Sequence, residues 1–240
     1  MKIRHTLAIG VLSVAAACSP PAVEEPAEPL EISPRDFVLI PCGPDRADRP
    51  CALVAAGGKR ILFGAPAGVA ASLSAADLRQ LDGVIVFSLR AADIEGLDEI
   101  RNESWRAGRD AALLTIGPRG VLDVVEGLNK AFEQADALRI VEEGIPAGGY
   151  DAAILTGRTA STGQIVFDTG DVRVTALRGG YRISYEDRAV IELQTCERLL
   201  EPSPETPVEQ VRMVVSCEAT DSDLTWPLST AHFVQNTGAE

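Results

Sequence analysis

The chain has 240 residues, 46% of them hydrophobic, with 35 acidic against 22 basic side chains and a formal charge of −13. That balance excludes the lysine- and arginine-rich surface on which phosphate-backbone binding rests, so nucleic acid is not an expected partner. The apolar fraction permits a sizeable core, and no apolar run is long enough to cross a bilayer as a helix.

Lys2 and Arg4 open the chain with positive charge, and Thr6 to Ala17 (TLAIGVLSVAAA) follows without any. This is the order and length of a signal-peptide core. It ends at Ala15-Ala16-Ala17-Cys18. Small residues before a cysteine resemble a lipobox, where a lipoprotein precursor is acylated on the thiol and then cleaved; Ala15 stands where leucine is more usual. Plain cleavage after an Ala-X-Ala pattern is the alternative. The residues that follow favour lipidation of Cys18. Ser19 to Ser33 (SPPAVEEPAEPLEIS) is rich in proline and glutamate and has no aromatic residue. Such a segment cannot bury enough apolar surface to fold, and it suits a tether. The expected organisation is a leader (1–17), a lipidated cysteine and disordered tether (18–33), and one folded domain (34–240). Ser19 replaces the aspartate of an inner-membrane retention signal, which points to the outer membrane, facing the periplasm.

The domain opens with strands. Asp36 to Cys42 and Cys51 to Ala56 are short apolar runs, Gly57-Gly58 marks a hairpin, and Lys59 to Phe63 returns. Gly83 to Ser88 reads as a strand buried on both faces. Asp93 to Gly108 has helical spacing, with Ile94, Leu97, Ile100 and Trp105 on one face. Ala111 to Ile116 is expected as a strand, Pro118 to Gln134 as a helix and Ala137 to Ile145 as a strand. Further strands are expected at Gln164 to Phe167, Val172 to Leu177, Tyr181 to Tyr185, Ala189 to Leu193 and Val211 to Cys217. Alternating elements followed by a strand-rich half suit a layered α/β protein.

Six stretches in series carry a more specific likeness. AAGGKRILFGAPAG (Ala55 to Gly68) is similar to the opening hairpin of metallo-β-lactamase-fold hydrolases, and FSLRAADIEGLDEI (Phe87 to Ile100) matches the ends and register of their metal-binding loop. Ser104 to Phe132 (SWRAGRDAALLTIGPRGVLDVVEGLNKAF) resembles the ribonuclease Z and arylsulfatase-like branch. DTGDVRVTAL (Asp168 to Leu177), GYRISYEDRAVIELQT (Gly180 to Thr195) and VVSCEATDSD (Val214 to Asp223) resemble later strands of the same family. The resemblance implies a four-layer αββα sandwich.

The same likeness implies that the metal ligands are gone. The first two histidines of the family's His-X-His-X-Asp-His loop fall on Ser88 and Arg90, its aspartate on Ala92 and its next histidine on Asp93. The bridging aspartate falls on Gln194, and the histidine before a late Glu-Ala-Thr segment on Cys217. A later His-Ser-Thr segment aligns with Leu228-Ser229-Thr230. The histidine expected after Val172 to Leu177 has no counterpart, and His232 is the domain's one imidazole. A dinuclear zinc site needs several imidazoles and carboxylates to hold two cations and activate water. Arg90 would place a fixed positive charge where a cation belongs.

Other arrangements fare no better. Asp93, Glu95 and Asp98 suggest an oxygen-ligand site for calcium or magnesium, but acidic residues in the first turns of a helix are favoured by its dipole alone. A triad of Ser88, Asp93 and His232 lacks a nucleophile elbow. Gly64 to Gly68 (GAPAG) lacks the lysine and glycine spacing of a phosphate loop. With Cys18 acylated, Cys42, Cys51, Cys196 and Cys217 remain, an even number for an oxidising compartment, with three possible pairings. Cys42 with Cys51 is expected across the CGPDRADRPC loop. Cys196 with Cys217 is implied by the resemblance, which ends their two segments at the old metal site. The expected function is a non-catalytic, membrane-anchored module without cofactor, binding a protein or small molecule. The alternative is a hydrolase of phosphodiesters or sulfate esters with a rebuilt zinc site.

Overall fold

The computed structural model describes residues 31–43, 46, 48–186, 189–195, 211–217 and 224–234. Cys18, Cys196 and the leader lie outside the described residues, as does the tether as far as residue 30.

Two sheets form the frame. The first contains β1 (Phe37–Pro41), β2 (Ala52–Ala56), β3 (Lys59–Phe63), β4 (Gly83–Ile85), β5 (Leu113–Gly117) and β6 (Leu155–Thr159) side by side, with β13 (His232–Phe233) outside β1. The second runs β12 (Leu224–Thr225), β11 (Val211–Ser216), β10 (Ala189–Gln194), β9 (Gly180–Tyr185), β8 (Val172–Leu177) and β7 (Ile165–Asp168). The Gly57-Gly58 turn joins β2 to β3 with both glycines at positive φ, 56° and 72°, where a side chain would be strained.

Between the sheets lies a core of alternate side chains: Phe37, Leu39, Val54, Ile61 and Phe63 from the first, and Val172, Val174, Tyr181, Ile183, Ile191 and Leu193 from the second. The opposite face of the first sheet presents Leu53, Leu62, Val84 and Leu113 to the helices. These are α1 (Ala75–Arg79), α2 (Ala91–Ile94), α3 (Leu97–Arg106) and α4 (Val121–Glu143). Each fully buried aliphatic side chain contributes ~1.5–3 kcal/mol, so these cores hold both sheets and the helices together. Among the described residues, these helices all lie on the first sheet, and the outer face of the second carries half-exposed Arg173, Thr175, Arg182, Ser184 and Glu192.

Local chemistry explains where the elements depart from the periodicity. The helix expected from Asp93 to Gly108 is two helices, broken at Gly96. A Cβ there would stand 2.2 Å from the Pro66 carbonyl oxygen, so the loop after β3 can pack onto the break only because Gly96 has none. Leu97, Ile100 and Trp105 are buried as the spacing predicts. The strand expected from Ala137 to Ile145 is instead the second half of α4. Ala137, Leu138, Arg139, Glu142 and Glu143 are good helix formers, and two tertiary contacts secure the extension. Asp136 takes both terminal nitrogens of the Arg101 guanidinium in a buried ion pair, and Arg139 lies 4.5 Å from the Trp105 ring centroid. The strand on the outer side of β5 is Leu155–Thr159, whose inward positions Leu155, Gly157 and Thr159 hold one apolar side chain. Asn129 of α4 holds its start, donating to the Leu155 carbonyl at 2.8 Å and accepting from the Leu155 N–H at 2.9 Å.

Candidate functional site

Parallel β3, β4 and β5 end together, and the loops that follow them build one end of the sandwich. After β3, the loop from Gly64 to Gly68 is tied down on every side. The Gly64 N–H donates to Ile85 O, the Ala65 N–H to Asp93 O and the Gly96 N–H to Ala65 O. Glu99 accepts from the Gly68 N–H at 2.9 and 3.0 Å. A carboxylate thus occupies the position a phosphate would need.

After β4, Phe87, Ser88 and Leu89 lead into α2. Ser88 Oγ donates to Asp93 Oδ2 and accepts from the Arg90 N–H at 3.1 Å. The loop thereby closes on itself. Asp93 is buried. Burial pushes its carboxyl above the ordinary value of 3.8, while the Ser88 hydrogen bond and the Arg90 charge act the other way. Ala92 is half-buried and Arg90 exposed.

An aromatic cluster adjoins this loop. The chain has eleven aromatic residues, and four of them gather here. The Tyr181 ring centroid is 5.8 Å from those of Phe63 and Phe87, and Trp226 meets Phe87 edge-on at 6.3 Å. The Tyr181 hydroxyl donates to Val86 O at 3.0 Å, bridging the two sheets. Burial raises the Tyr181 pKa, and the nearby Asp93 charge adds to the shift. The Trp226 indole N–H donates to Gln194 O at 2.7 Å. No periodicity marks these residues as a group, because they come from β3, the loop after β4, β9 and the segment after β12. Phe87 and Tyr181 flank motifs that the sequence does show, and that adjacency was the available signal.

The other candidate positions are dispersed. Gln194 ends β10, but its side-chain amide turns to Glu192 on the same strand face, away from the core face of Ile191 and Leu193. Cys217 follows β11, packs against the inter-sheet core and is disulfide-bonded; its expected partner Cys196 lies outside the described residues. His232 pairs with Leu39 at the far edge of the first sheet. Four strand spacings separate β13 from β4, roughly 19 Å, so His232 cannot complete a triad with Ser88 and Asp93. Glu95 is held by Arg49 at 2.8 Å, which removes it from a shared oxygen site with Asp93 and Asp98. No group of three or more His, Cys, Asp or Glu side chains suited to a metal ion occurs among the described residues. A hydroxyl, a guanidinium, a methyl group and one buried carboxyl do not fit the donor set of a two-zinc hydrolase.

Beside this end, Cys42 and Cys51 are joined by a disulfide with Cα atoms 5.3 Å apart, as their spacing predicts. It closes the loop between β1 and β2, from which Arg49 reaches Glu95 next to α2.

No protein-family model matches the chain, and no curated protein sequence does. Solved structures match through the fold. The metallo-β-lactamase-fold protein YhfI from Bacillus subtilis superposes with a TM-score of 0.52 at 12% identity, over 75% of this chain and 70% of its own. The short form of human tRNase Z gives 0.51 at 14% identity, over 75% of this chain and 76% of its own. A diphosphatase from the PhnP family gives 0.50 at 11% identity, over 82% of this chain and 97% of its own. These superpositions show the fold: the protein has the metallo-β-lactamase fold.

Proposed function

We propose that this protein is a non-catalytic, lipid-anchored module that keeps the fold of the metallo-β-lactamase hydrolases and acts by binding. The observation that carries the reading is the loop after β4. Where a metal hydrolase presents donors to two cations, Ser88 and Asp93 satisfy each other, and rings from both sheets pack beside them. Hydrolysis by this fold works through a cation-activated water, and the residue types at Ser88, Arg90, Ala92 and Gln194 supply neither imidazole nor carboxylate for one. The Cys18 motif and the tether composition support attachment to the outer membrane, with the domain in the periplasm. The partner is a protein or small molecule rather than a nucleic acid.

One observation favours a second reading, a hydrolase with a rebuilt site. A serine hydroxyl bonded to a carboxylate is the first half of a nucleophile–base arrangement. Turnover assays on a phosphodiester, a sulfate ester and a β-lactam separate the two readings. The binding module gives no turnover above that of Asp93→Asn protein. The rebuilt hydrolase gives turnover that Ser88→Ala and Asp93→Asn both abolish.

A further inference from the structure

The second half of α4 leaves a row of large aliphatic side chains in solvent. Leu138 is 61% exposed, Val141 82% and Ile145, just past the helix, 76%. Leu138 and Val141, three residues apart, share one helix face, and Ile145 follows directly after the Gly144 cap. Arg139 and Glu143 pair with each other at 3.0 Å, while Glu142, four residues after Leu138, is the exposed carboxylate beside the row.

Strand directions locate the row. Phe37, the first residue of β1, pairs with Ala56, and Ala56 pairs with Lys59 at the start of β3. Parallel pairing carries the same end through Gly83 and Leu114 to Leu155 at the start of β6. Beyond the point where Asn129 bonds Leu155, Ile140 packs with Trp105, Ala152 and Ala153, and Gly148 sits against Asp110 just before β5. The apolar row and the chain entering β1 therefore share one end of the sandwich. The Ser88–Asp93 loop is at the other.

We infer that Leu138, Val141 and Ile145 rest on the bilayer that holds the lipid anchor, so that the domain stands with its degenerate site pointing away from the membrane. The inference rests on the proposed anchoring at Cys18. β1 and β6 are five strand spacings apart, roughly 24 Å. The fifteen residues from Ser19 to Ser33 span up to roughly 45 Å at about 3.1 Å each, so the tether lets the row reach the surface that holds the anchor. The chain's acidic balance selects a zwitterionic surface over an anionic one. With the acyl chains supplying attachment, the apolar row supplies orientation.

The test uses the full lipoprotein reconstituted into phosphatidylethanolamine-rich vesicles with brominated acyl chains. Trp105 and Trp226 are 1% and 3% exposed, so an added surface tryptophan reports lipid contact above a shielded background. Val141→Trp should lose most of its added fluorescence, and Ala67→Trp, on the exposed loop after β3, should lose none. Adding Leu138→Gln and Ile145→Gln to Val141→Trp should restore the signal while the protein stays on the vesicles. Quenching at both positions or at neither overturns the inference. An unquenched Val141→Trp protein that sediments as a dimer gives the face to a second copy instead. Flotation of Cys18→Ala protein tests the anchor separately. If it floats as the wild type does and Val141→Trp is still quenched, the anchor is wrong and the docking face stands. If the wild type does not float, both fall.

Discussion

Ser88 and Asp93 are hydrogen-bonded to each other across the loop that, in a metal hydrolase of this fold, would face the cations. The bond gives a buried carboxyl one partner from within its own loop, and Arg90 supplies charge at longer range. Burial dominates, so the group holds its proton more tightly in the folded chain than in the unfolded one.

The sign of the resulting pH dependence follows. Below about 3.8 both states carry the proton, and Asp93 does not alter stability with pH. As pH rises from there, the unfolded chain releases the proton first and the fold is progressively destabilised, until pH passes the raised folded value. Asp93→Asn removes this effect. Its urea midpoint should gain on the wild type as pH rises above about 4. A difference that shrinks with rising pH would show that Asp93 is stabilised as the charged form.

Trp226 both fills the end of the inter-sheet core and satisfies Gln194 O. Trp226→Ala should cost ~3–5 kcal/mol in denaturant unfolding, the range for deleting a buried large ring. Trp226→Phe keeps much of the packing but leaves the carbonyl without its donor, and should cost ~1–3 kcal/mol. Equal costs for the two would mean that the hydrogen bond, and not the ring, is what matters.

The Arg101–Asp136 pair joins α3 to α4, and both side chains are nearly fully buried. Asp136→Ala strands a buried guanidinium and should lower stability by ~3–5 kcal/mol. Replacing both partners together, Arg101→Met with Asp136→Leu, should cost less than Asp136→Ala alone, because no charge is left unpaired. Thermal unfolding of the three proteins decides it.

Reducing or removing the Cys42–Cys51 bridge frees a short loop. On the chain-entropy account, Cys42→Ser with Cys51→Ser should lose roughly 2–3 kcal/mol. Arg49 rides on that loop, so its ion pair with Glu95 should weaken as well. A double variant as stable as the wild type would show that native packing already fixes the loop.

Legibility in the sequence followed the range of the forces involved. The hairpin at Gly57-Gly58, the apolar strands and the buried face of α3 are set by near neighbours, and their spacing displays them. The likeness to a known fold carried the order of the sheets, which no local pattern contains. The second half of α4 misled because ALRIVEEGI has the composition of either element; the deciding contacts, Asp136 with Arg101 and Arg139 with Trp105, are 35 and 34 residues apart. β6 was invisible for the opposite reason: its inward positions after Leu155 are Gly157 and Thr159, which carry no apolar signal, and Asn129 from a distant helix holds its start. At the site, the residue types at Ser88, Arg90, Ala92, Asp93 and Gln194 could be read one position at a time. The mutual bond of Ser88 and Asp93 and the convergence of Phe63, Phe87, Tyr181 and Trp226 needed the fold.

Metal stoichiometry decides whether this chain has, as proposed, lost metal chemistry. The protein would be purified without chelator and measured by plasma emission, with Asp93→Asn and Arg90→Ala proteins alongside. The account predicts substoichiometric, salt-sensitive metal in all three, since a loose cation on an acidic surface needs none of these residues. One or two tightly held zinc ions per wild-type chain, lost in Asp93→Asn together with hydrolytic turnover, would contradict it.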